Sequence, residues 1–592
     1  MKNQLCPWST WDIKSINAVM HLHSLLEVKI GVFNDFDKAY VENLHPSRHV
    51  KRYGLHAADG SYFQIEYKVG EFAFSAEFAG EGDSFVVKLT PLRGSADMFY
   101  YISAHMMWNG EGTVTKEGDR LCLAAREKAF SVRVWAEIDS KPRFYFSAPG
   151  ILARAENTVY IFCNRPVDFC AADAMLSAGK NKALKAIREN DPQRRQAAEA
   201  IYKVMTWNTV YDPVNDRMIT PVTRLWCLSD HAEFAVFGSY VLFCWDTFFN
   251  GLLAGVFDKE LAYNQVYSIL SEATDRGMIP NTNAHRKKSL DRSQPPVGAW
   301  CVWKLYEQFG EKEFLEKTFN GLYAWNRYWF QYRDRNCDGL LEWGSDPFPD
   351  GYRSLELEKM NYAHSLAAAK LESGLDNSPM YDEVSYDPSL CTMDLCDVGL
   401  NALYALDLMC LAKIAGELGN KELQQVMSAE YETMKQRING MLWNEELGIY
   451  CNRFWDGRFS DALSPTCFYP LLAGIPDARQ AQRMVDEHLW NEAEFWSDCA
   501  IPSTPRNSPA FGDDKYWRGR IWAPMNYLVF EGLRQFGFRS QAEQLADKGL
   551  QMFLRQWEEN QIISENYHPD GTAADDPFYT WGALFAYMKL CI

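Results

Sequence analysis

Two carboxylates in loop-like segments are the first candidates for chemistry. Asp376 lies in Leu-Glu-Ser-Gly-Leu-Asp-Asn-Ser-Pro at 371–379, and Glu565 lies in Ile-Ser-Glu-Asn-Tyr-His-Pro-Asp-Gly at 563–571. Apolar residues near Asp376 would resist its ionisation and raise its pKa toward that of a working acid. Each segment also has a structural explanation, because Gly, Asn and Pro stop helices and Glu565 resembles a solvated loop acid.

A pair of carboxylates is what hydrolysis of a glycosidic bond requires. One is protonated and donates to the leaving oxygen, and the other is ionised and activates water. Inversion at the anomeric carbon needs a separation of roughly 6.5 to 9.5 Å, so that water fits between base and sugar. Asp376 and Glu565 are far apart in the chain, so their meeting depends on the fold.

Further polar groups occur in two aromatic or proline-rich segments. Asp246 lies in Cys-Trp-Asp-Thr-Phe-Phe-Asn at 244–250, where it is either a ligand-binding acid or an ordinary helix N-cap. Asn281, Arg292 and Gln294 flank the prolines at 280, 295 and 296. They are candidates for binding hydroxyl groups, or solvated groups of a rigid turn.

An aspartate-rich loop offers oxygen atoms at alternate positions, as the first half of a calcium-binding loop does. Its candidate ligands are Asp334, Asn336, Asp338, Leu340 through its carbonyl, and Glu342. Ser345 stands where an EF-hand has its final glutamate, so the loop is no EF-hand, and Glu342 could supply that carboxylate. The alternative is a tight Asp/Asn/Gly turn without an ion.

Composition limits the kinds of partner. A net charge of −18 argues against nucleic acid and anionic membranes, and 14% aromatic residues beside polar groups suit a small-molecule sugar. The 15 cysteines show no paired spacing, and the N-terminus lacks a signal-like apolar stretch. No apolar run is judged long enough to span a bilayer. A cytoplasmic protein with reduced thiols is expected.

Two patterns divide the chain. Short alternating segments before about residue 165 predict an antiparallel β-sandwich in a domain at 1–175. From about residue 180 the period becomes helical, and glycines separate three predicted helix pairs, 299–309 with 313–332, 400–418 with 423–438, and 521–536 with 541–557. Weaker pairs near 195–270 and 472–490 suggest about six hairpins, which favours a closed ring of helices over a solenoid in a domain at 176–592.

Eight strings in the helical part, at about 195–592, resemble glycoside hydrolase family 63, which includes bacterial α-glucosidases and mannosylglycerate hydrolases, and more distantly the trehalases. The strings are Trp245-Asp246 with Asn250, Ile-Pro-Asn at 279–281, Ser-Gln-Pro-Pro at 293–296, Asp-Gly-Leu-Leu-Glu-Trp-Gly-Ser-Asp at 338–346, Glu-Ser-Gly-Leu-Asp-Asn-Ser-Pro at 372–379, Tyr-Trp-Arg-Gly-Arg-Ile-Trp at 516–522 with Asn526, Ser-Glu-Asn-Tyr at 564–567, and Asp-Pro-Phe-Tyr-Thr-Trp-Gly at 576–582. The resemblance implies a mainly α fold, an (α/α)6 barrel after the β-sandwich.

The resemblance also implies roles for residues. Asp376 corresponds to the general acid and Glu565 to the general base of an inverting, exo-acting α-glycosidase that removes a terminal glucosyl or mannosyl residue. The chemistry requires no cofactor, and the aspartate-rich loop corresponds to a region that binds calcium in some relatives. The expected substrate-binding residues are Trp245, Asp246, Asn281, Gln294, Trp343, Gly374, Trp517, Arg518, Trp522, Tyr567 and Trp581.

Some properties stay open at the level of sequence. Arg520 replaces the proline expected in the Trp-Arg-Gly-Pro-Ile-Trp string, which hints at an acidic aglycone such as a glycerate. The alternatives are an inverting sugar phosphorylase, which needs no base, a sugar epimerase, and a non-catalytic carbohydrate-binding protein. Glucose or mannose specificity, the aglycone and the oligomeric state are not predicted.

Overall fold

The chain divides into two compact units. The computed structural model describes residues 5–10, 15–107, 110–125, 127–139, 148–212, 214–226, 240–284, 287–349 and 363–592. One unit comprises Met1–Arg188 with Met205–Ile219, and the other comprises Glu189–Val204 with Thr220–Ile592. The first consists mainly of strands and the second mainly of helices, which confirms the predicted change of pattern.

The first unit contains two antiparallel sheets. Its long and short strands are β1 (Trp8–Ser9), β2 (Ala18–His21), β3 (Leu26–Asn34), β4 (Tyr40–Val41), β5 (Val50–His56), β6 (Tyr62–Val69), β7 (Phe72–Glu81), β8 (Ser84–Arg93), β9 (Met98–Met106), β10 (Gly112–Glu117), β11 (Arg120–Ala125), β12 (Lys128–Trp135), β13 (Gly150–Arg154) and β14 (Val159–Cys163). One sheet has the order β1-β2-β3-β9-β13 with β4 on β3, and the other has the order β10-β11-β12-β14-β8-β7-β6-β5.

Aromatic side chains join the two sheets. Tyr100 on β9 lies 5.8 Å from Phe72 and 5.1 Å from Phe74 on β7, measured between ring centroids. Alternate residues of β6 and β7 are buried, as strands with one face in a core require. Two antiparallel sheets therefore pack face to face around an aromatic core.

Two helices accompany these sheets, α1 (Pro46–His49) and α2 (Phe169–Ala186). Asp168 caps α2 by accepting a hydrogen bond from the backbone N–H of Ala171. The domain boundary predicted between residues 175 and 176 lies inside α2, because this helix continues the first unit beyond its last long strand.

The second unit is built from helix pairs. Its helices are α3 (Pro192–Asn208), which starts in this unit, α4 (Cys244–Gly255), α5 (Lys259–Leu270), α6 (Gly298–Phe309), α7 (Lys312–Arg333), α8 (Leu366–Glu372), α9 (Val398–Glu417), α10 (Lys421–Met441), α11 (Tyr469–Leu472), α12 (Ala478–Arg483), α13 (Ala523–Gln535), α14 (Arg539–Asn560) and α15 (Leu584–Leu590). The three predicted long pairs are confirmed as α6–α7, α9–α10 and α13–α14.

Glycines end the first helix of each long pair. Gly310, Gly419 and Gly537 have φ values of 70°, 82° and 80°, in the left-handed region where a side chain would be strained. The chain can therefore reverse direction immediately after α6, α9 and α13.

Short strands connect the helices. These are β15 (Val210–Asp212) and β16 (Arg217–Ile219) of the first unit, and β17 (Val241–Phe243), β18 (Thr282–Ala284), β19 (Glu342–Gly344), β20 (Tyr386–Asp387), β21 (Thr392–Cys396), β22 (Trp443–Asn444), β23 (Ile449–Tyr450), β24 (Arg453–Phe454), β25 (Ser564–Tyr567) and β26 (Ala573–Pro577) of the second. Of the two candidate acids, Asp376 lies between β19 and β20 and Glu565 lies on β25.

The helices of the second unit form an inner and an outer set. Inner helices contact one another in the order α4, α6, α9, α11, α13 and α15, and a short 3-10 helix at Thr580–Ala583 contacts both α15 and α4. Outer helices such as α7, α10 and α14 bury only one face. The guanidinium of Arg194 on α3 donates hydrogen bonds of 3.1, 3.2 and 2.9 Å to the carbonyls of Lys589, Leu590 and Ile592.

The inner helix α9 is long enough and apolar enough to cross a membrane, by length and composition alone. An 18-residue window of α9 has a mean hydropathy of 1.5, and 89% of that window is buried inside the structure. The expectation that no run reaches this length and composition was wrong for α9, because the core of a large helical unit surrounds its inner helices with apolar neighbours.

Candidate active site

Asp376 follows α8 in a loop that buried charges hold in place. Glu372, the last residue of α8, accepts hydrogen bonds of 2.6 and 2.7 Å from the guanidinium of Arg333. It also accepts from the backbone N–H groups of Ser293 and Gly344. Glu372 and Arg333 are fully buried, and a buried charge is stable only when it is paired and hydrogen-bonded in this way. The start of the Asp376 loop is therefore anchored to three other segments.

The surroundings of Asp376 favour its protonated form. Burial raises the pKa of its carboxyl group above the usual value, as its apolar surroundings predict. The indole Nε1 of Trp517 donates to Asp376 Oδ1 at 3.2 Å, and this contact and the charge of Lys370 act in the opposite direction. The result is a carboxyl group whose proton is retained to a higher pH than in water.

Glu565 lies on β25, which pairs with β26 and turns its side chain inward. Only 7% of the residue is exposed. The hydroxyl of Tyr516 donates to Glu565 Oε1 at 2.8 Å, and the indole of Trp581 donates to the Glu565 backbone carbonyl at 2.8 Å. Burial first, and then the charge of Asp576, raise the pKa of Glu565, whereas the hydrogen bond from Tyr516 lowers it.

Two adjacent residues, Tyr516 and Trp517, connect Glu565 and Asp376. Tyr516 contacts Glu565 and its neighbour Trp517 contacts Asp376. Both carboxylates also act electrostatically on the Tyr516 hydroxyl. The tertiary structure therefore brings together the two acids that the sequence placed in separate loops.

Four tryptophans form a buried cluster beside the acids. Trp517 and Trp522 stack with centroids 3.5 Å apart and planes at 14°. Trp581 meets Trp522 edge-on at 5.6 Å and Trp245 edge-on at 5.8 Å. Such indole faces complement the C–H faces of a pyranose ring.

Asp246 belongs to the same cluster and is not a helix cap. The N-cap of α4 is Phe243, so Asp246 lies inside the first turn, where it is 1% exposed. Burial raises its pKa to about 8, and the hydroxyl of Tyr579 lies 3.4 Å from its Oδ1. The N-cap explanation is wrong because the helix begins two residues earlier, at Cys244.

The amide side chains predicted to bind hydroxyl groups lie in the surrounding loops. Gln294 Oε1 accepts from the backbone N–H of Trp245 at 3.2 Å. Asn281 Nδ2 donates to the carbonyl of Leu371 at 3.2 Å. The side chain of Gln294 therefore contacts α4, and that of Asn281 contacts α8. Arg292 pairs with Asp291 at 2.8 Å.

Gly374, Trp343 and Tyr567 were also predicted to bind substrate, and each has a different kind of neighbour. Gly374 approaches Trp245 closely, since a Cβ built on it would lie 3.1 Å from Trp245 Cζ2. Trp343 on β19 packs edge-on against Trp329 at 5.8 Å. Tyr567 is fully buried, and its ring meets Phe585 at 5.8 Å.

Two arginines near the site are held by carboxylates. Arg518 pairs with Asp382 at 2.8 Å and with Asp513 at 2.6 Å, near the surface. Arg520 pairs with Asp575 at 2.6 Å and donates to Asn566 Oδ1 at 3.1 Å. The sequence hint that Arg520 offers a free cation to an acidic aglycone is not supported by these contacts, since its charge is balanced by Asp575.

Sequence reasoning assigned no role to Tyr516, Tyr579 or Asn377, although each contacts a candidate acid or its loop. Tyr516 and Tyr579 occur in the strings at 516–522 and 576–582, beside Trp517 and Trp581. A second aromatic next to a tryptophan predicted to bind sugar was the available signal. The partner of each hydroxyl, however, is set by long-range packing.

Comparison with known proteins identifies the family. Residues 239–582 match the model of the mannosylglycerate hydrolase MGH1-like glycoside hydrolase domain, which is more than half of the chain. The chain belongs to this family. It is therefore a glycoside hydrolase of the family 63 kind, as the eight strings indicated.

Relatives and structures agree with this assignment. The hydrolase is 24% identical over 400 residues to mannosylglycerate hydrolase MGH1 of Selaginella moellendorffii, covering 57% of this chain and 78% of that protein. A crystal structure of a mannosylglycerate hydrolase from Thermus thermophilus, in complex with Tris and D-glycerate, has a TM-score of 0.51 at 21% identity, covering 67% and 100% of the two chains. A bacterial glucoamylase complexed with acarbose has a TM-score of 0.53 at 11% identity, covering 98% and 92%. These structures share the fold.

The aspartate-rich loop of this glycoside hydrolase has features that fit a cation. Single ligand atoms of Asp338, Glu342 and Cys396 lie within 4.8 Å of one another. Burial first, and also the charge of Asp338, raise the pKa of Glu342 to about 8, and its Oε2 is buried without a hydrogen-bond partner. A hard cation would satisfy this oxygen and offset the repulsion between the two carboxylates. The thiol of Cys396 would not be a calcium ligand.

Proposed function

We propose that this protein is an inverting, exo-acting hydrolase that releases a terminal α-linked mannosyl or glucosyl residue from a small glycoside. The proposal rests on two contacts of adjacent residues. Tyr516 donates to buried Glu565, and Trp517 donates to buried Asp376. These contacts give the two groups different surroundings beside one tryptophan cluster. Inverting hydrolysis of a glycosidic bond needs two carboxyl groups, one as proton donor and one as base.

The mechanism follows from the two acids. Protonated Asp376 donates to the glycosidic oxygen while the bond from this oxygen to the anomeric carbon breaks. Ionised Glu565 takes a proton from the water that attacks the opposite face of the sugar. Net transfer leaves Asp376 ionised and Glu565 protonated, and one proton exchange with solvent restores both. No covalent intermediate forms, and the product anomer is β.

The rest of the site would hold the sugar. The sugar would lie against the aromatic cluster that contains Trp517 and Trp522, and Asp246 with Gln294 would supply polar groups. Because relatives are named mannosylglycerate hydrolase, a mannosyl or glucosyl glycoside of glycerate is the first substrate to test. A phosphorylase would leave Glu565 without a use.

We further propose that the second unit is an (α/α)6 barrel. Six inner helices contact one another in sequence, and Arg194 links α3 to the end of the last inner helix, α15. Trp245 lies in the first turn of α4, and Trp522 ends the loop that enters α13. Convergence of such loops at one end of a ring would explain how distant acids meet.

The first experiment compares wild type, Asp376→Asn and Glu565→Gln on α-mannosylglycerate, α-glucosylglycerate and p-nitrophenyl α-glucoside. Each variant should lose activity by a factor on the order of 10² to 10⁴, the usual contribution of general acid or base catalysis. Glu446→Gln, at an exposed position, makes the same chemical change as a control. NMR of the fresh product should show the β-anomer first. Release of the α-anomer, or active variants, would overturn the proposal.

We also propose that the loop at 334–342 holds a structural calcium ion. Its ligands would be Asp334, Asn336, Asp338, Glu342 and the carbonyl of Leu340, outside the reacting groups. Calcium should then raise the melting temperature of EDTA-treated wild type and leave Glu342→Gln nearly unchanged, because the variant loses a charged ligand. Equal shifts in both proteins would exclude Glu342 as a ligand.

A further inference from the structure

We infer that Tyr516 is a positioning residue for Glu565, whose carboxylate it holds toward the attacking water, and that one hairpin tip sets the placement of both acids. The inference rests on the proposed roles of Asp376 and Glu565. It assigns to Tyr516 a function in the reaction without direct contact with the reacting atoms.

The geometry of the hairpin is unusual. Lys515 and Arg518 exchange two backbone hydrogen bonds, each 3.0 Å long, so Tyr516 and Trp517 are the two central residues of a tight turn. Tyr516 has a φ of 55°, a left-handed conformation that is rare for a bulky side chain. Strain of this kind persists only where the surroundings enforce it, and it concentrates at functional sites. Here it directs two neighbouring side chains to two different carboxylates.

The turn is fixed directly to the loop of the acid. Asn377, the residue after Asp376, donates from Nδ2 to the Lys515 carbonyl at 3.0 Å and accepts from the Trp517 backbone N–H at 2.9 Å. On the other side, the indole of Trp522 donates to the Tyr516 carbonyl at 3.0 Å. A shift of the turn would therefore move the donors to Asp376 and Glu565 together.

The charges around Glu565 make the hydroxyl of Tyr516 important. Asp575 and Asp576 on β26 repel the ionised form of Glu565. Tyr579, after β26, also lies within electrostatic reach of Glu565. Arg520 pairs with Asp575 and so offsets part of this negative charge. Burial, first, and the charges of Glu565 and Asp376 raise the pKa of Tyr516, which keeps its proton and donates.

The test is the pH dependence of kcat/KM for Tyr516→Phe, measured on the panel substrate that the wild type hydrolyses. The hydroxyl stabilises ionised Glu565, so its removal raises the pKa of the base and moves the acidic limb to higher pH by about one unit. We expect kcat at neutral pH to fall on the order of 10- to 100-fold. KM should change by less than about twofold, because no sugar contact is removed.

Tyr431→Phe is the matched control. The Tyr431 hydroxyl donates to the carbonyl of Ala473 at 2.9 Å, so the same atom and a similar hydrogen bond are lost on an outer helix. Its acidic limb should match that of wild type. If the limb of Tyr516→Phe also stays in place while activity falls, Tyr516 is only structural and the inference is wrong.

Two further measurements keep the inference separate from the proposed function. Incorporation of difluorotyrosine at Tyr516, a stronger donor in the same fold, should move the acidic limb to lower pH; an unmoved limb counts against the inference.

With a glycosyl fluoride, whose leaving group needs little protonation, Asp376→Asn should regain activity while Tyr516→Phe stays impaired, since the base is still required. Equal recovery of both would contradict positioning of the base. Full activity of Glu565→Gln would refute the proposed function itself.

Discussion

At the residue scale, burial acts on every acid of the site in the same direction. It raises the pKa of Asp376, Glu565 and Asp246, so each would be protonated more readily than in water. Each carboxylate also accepts from one donor, an indole N–H at Asp376 and a phenol hydroxyl at Glu565 and at Asp246. Each donor favours the ionised form and so opposes the effect of burial.

Asp246 allows a prediction about stability. Burial raises the pKa of its carboxyl group from the ordinary value of 3.8 to about 8, so the folded state binds the proton more tightly than the unfolded state. The contribution of the Asp246 carboxyl group to the free energy of unfolding is therefore fully present below pH 3.8 and is lost as the pH rises toward 8. Asp246→Asn does not titrate, and its melting temperature relative to wild type should rise steadily between these limits.

Thermal unfolding across this pH range checks the prediction for Asp246. Glu446→Gln, the exposed control, should show a constant difference from wild type. A constant difference for Asp246→Asn as well would mean that the carboxyl group is already ionised at neutral pH in the folded protein. The same variant should raise KM, because a proposed hydroxyl ligand becomes an amide.

At the element scale, glycines after helices determine how closely the loops approach one another. Gly374 follows α8 with a φ of 70°, and Gly419 follows α9 with a φ of 82°. The space around them differs. A Cβ on Gly374 would meet the indole of Trp245, whereas a Cβ on Gly419 would meet nothing within 4 Å.

Alanine at these two positions should therefore have different effects. Both Gly374→Ala and Gly419→Ala place a side chain at positive φ and should lower the free energy of unfolding by about 1 kcal/mol. Only Gly374→Ala should also raise KM, because Trp245 must move away from the sugar. Denaturant unfolding with steady-state kinetics separates the two effects. An unchanged KM in Gly374→Ala would show that Trp245 tolerates the shift or does not touch the sugar.

At the scale of the whole molecule, the proposed barrel requires contact between the first and last helices of the helical unit. Arg194 on α3 donates to the carbonyls of Lys589 and Leu590, the last two residues of α15, and to that of Ile592 beyond the helix. Carbonyls at a helix C-terminus lack intrahelical partners and carry partial negative charge. A guanidinium is therefore well suited to join these two ends.

Loss of this contact should destabilise the unit as a whole. We expect Arg194→Met to lower the free energy of unfolding by about 1.5 to 3 kcal/mol, the range for hydrogen bonds to a charged group. Arg458→Met, whose guanidinium pairs with the exposed Glu383, is the control and should change it by less than about 1 kcal/mol. Equal small effects would argue that closure does not depend on Arg194.

The sequence by itself determined the local features of this protein. The sequence predicted three helix pairs, whose first helices end at Gly310, Gly419 and Gly537, and the alternating strands before residue 165. This was possible because helical periodicity, strand alternation and glycine stops act over a few residues. Short strings also sufficed to recognise the family and to nominate Asp376 and Glu565.

Only the tertiary structure decided which groups meet. The hydroxyl of Tyr516 reaches Glu565 across 49 positions, the indole of Trp517 reaches Asp376 across 141, and Arg520 turns out to be paired with Asp575. Such contacts depend on how helices pack and on the strained turn at Tyr516, and neither is encoded in local periodicity. The state of each acid is likewise set by burial and by donors from distant segments, since desolvation is a property of the folded chain.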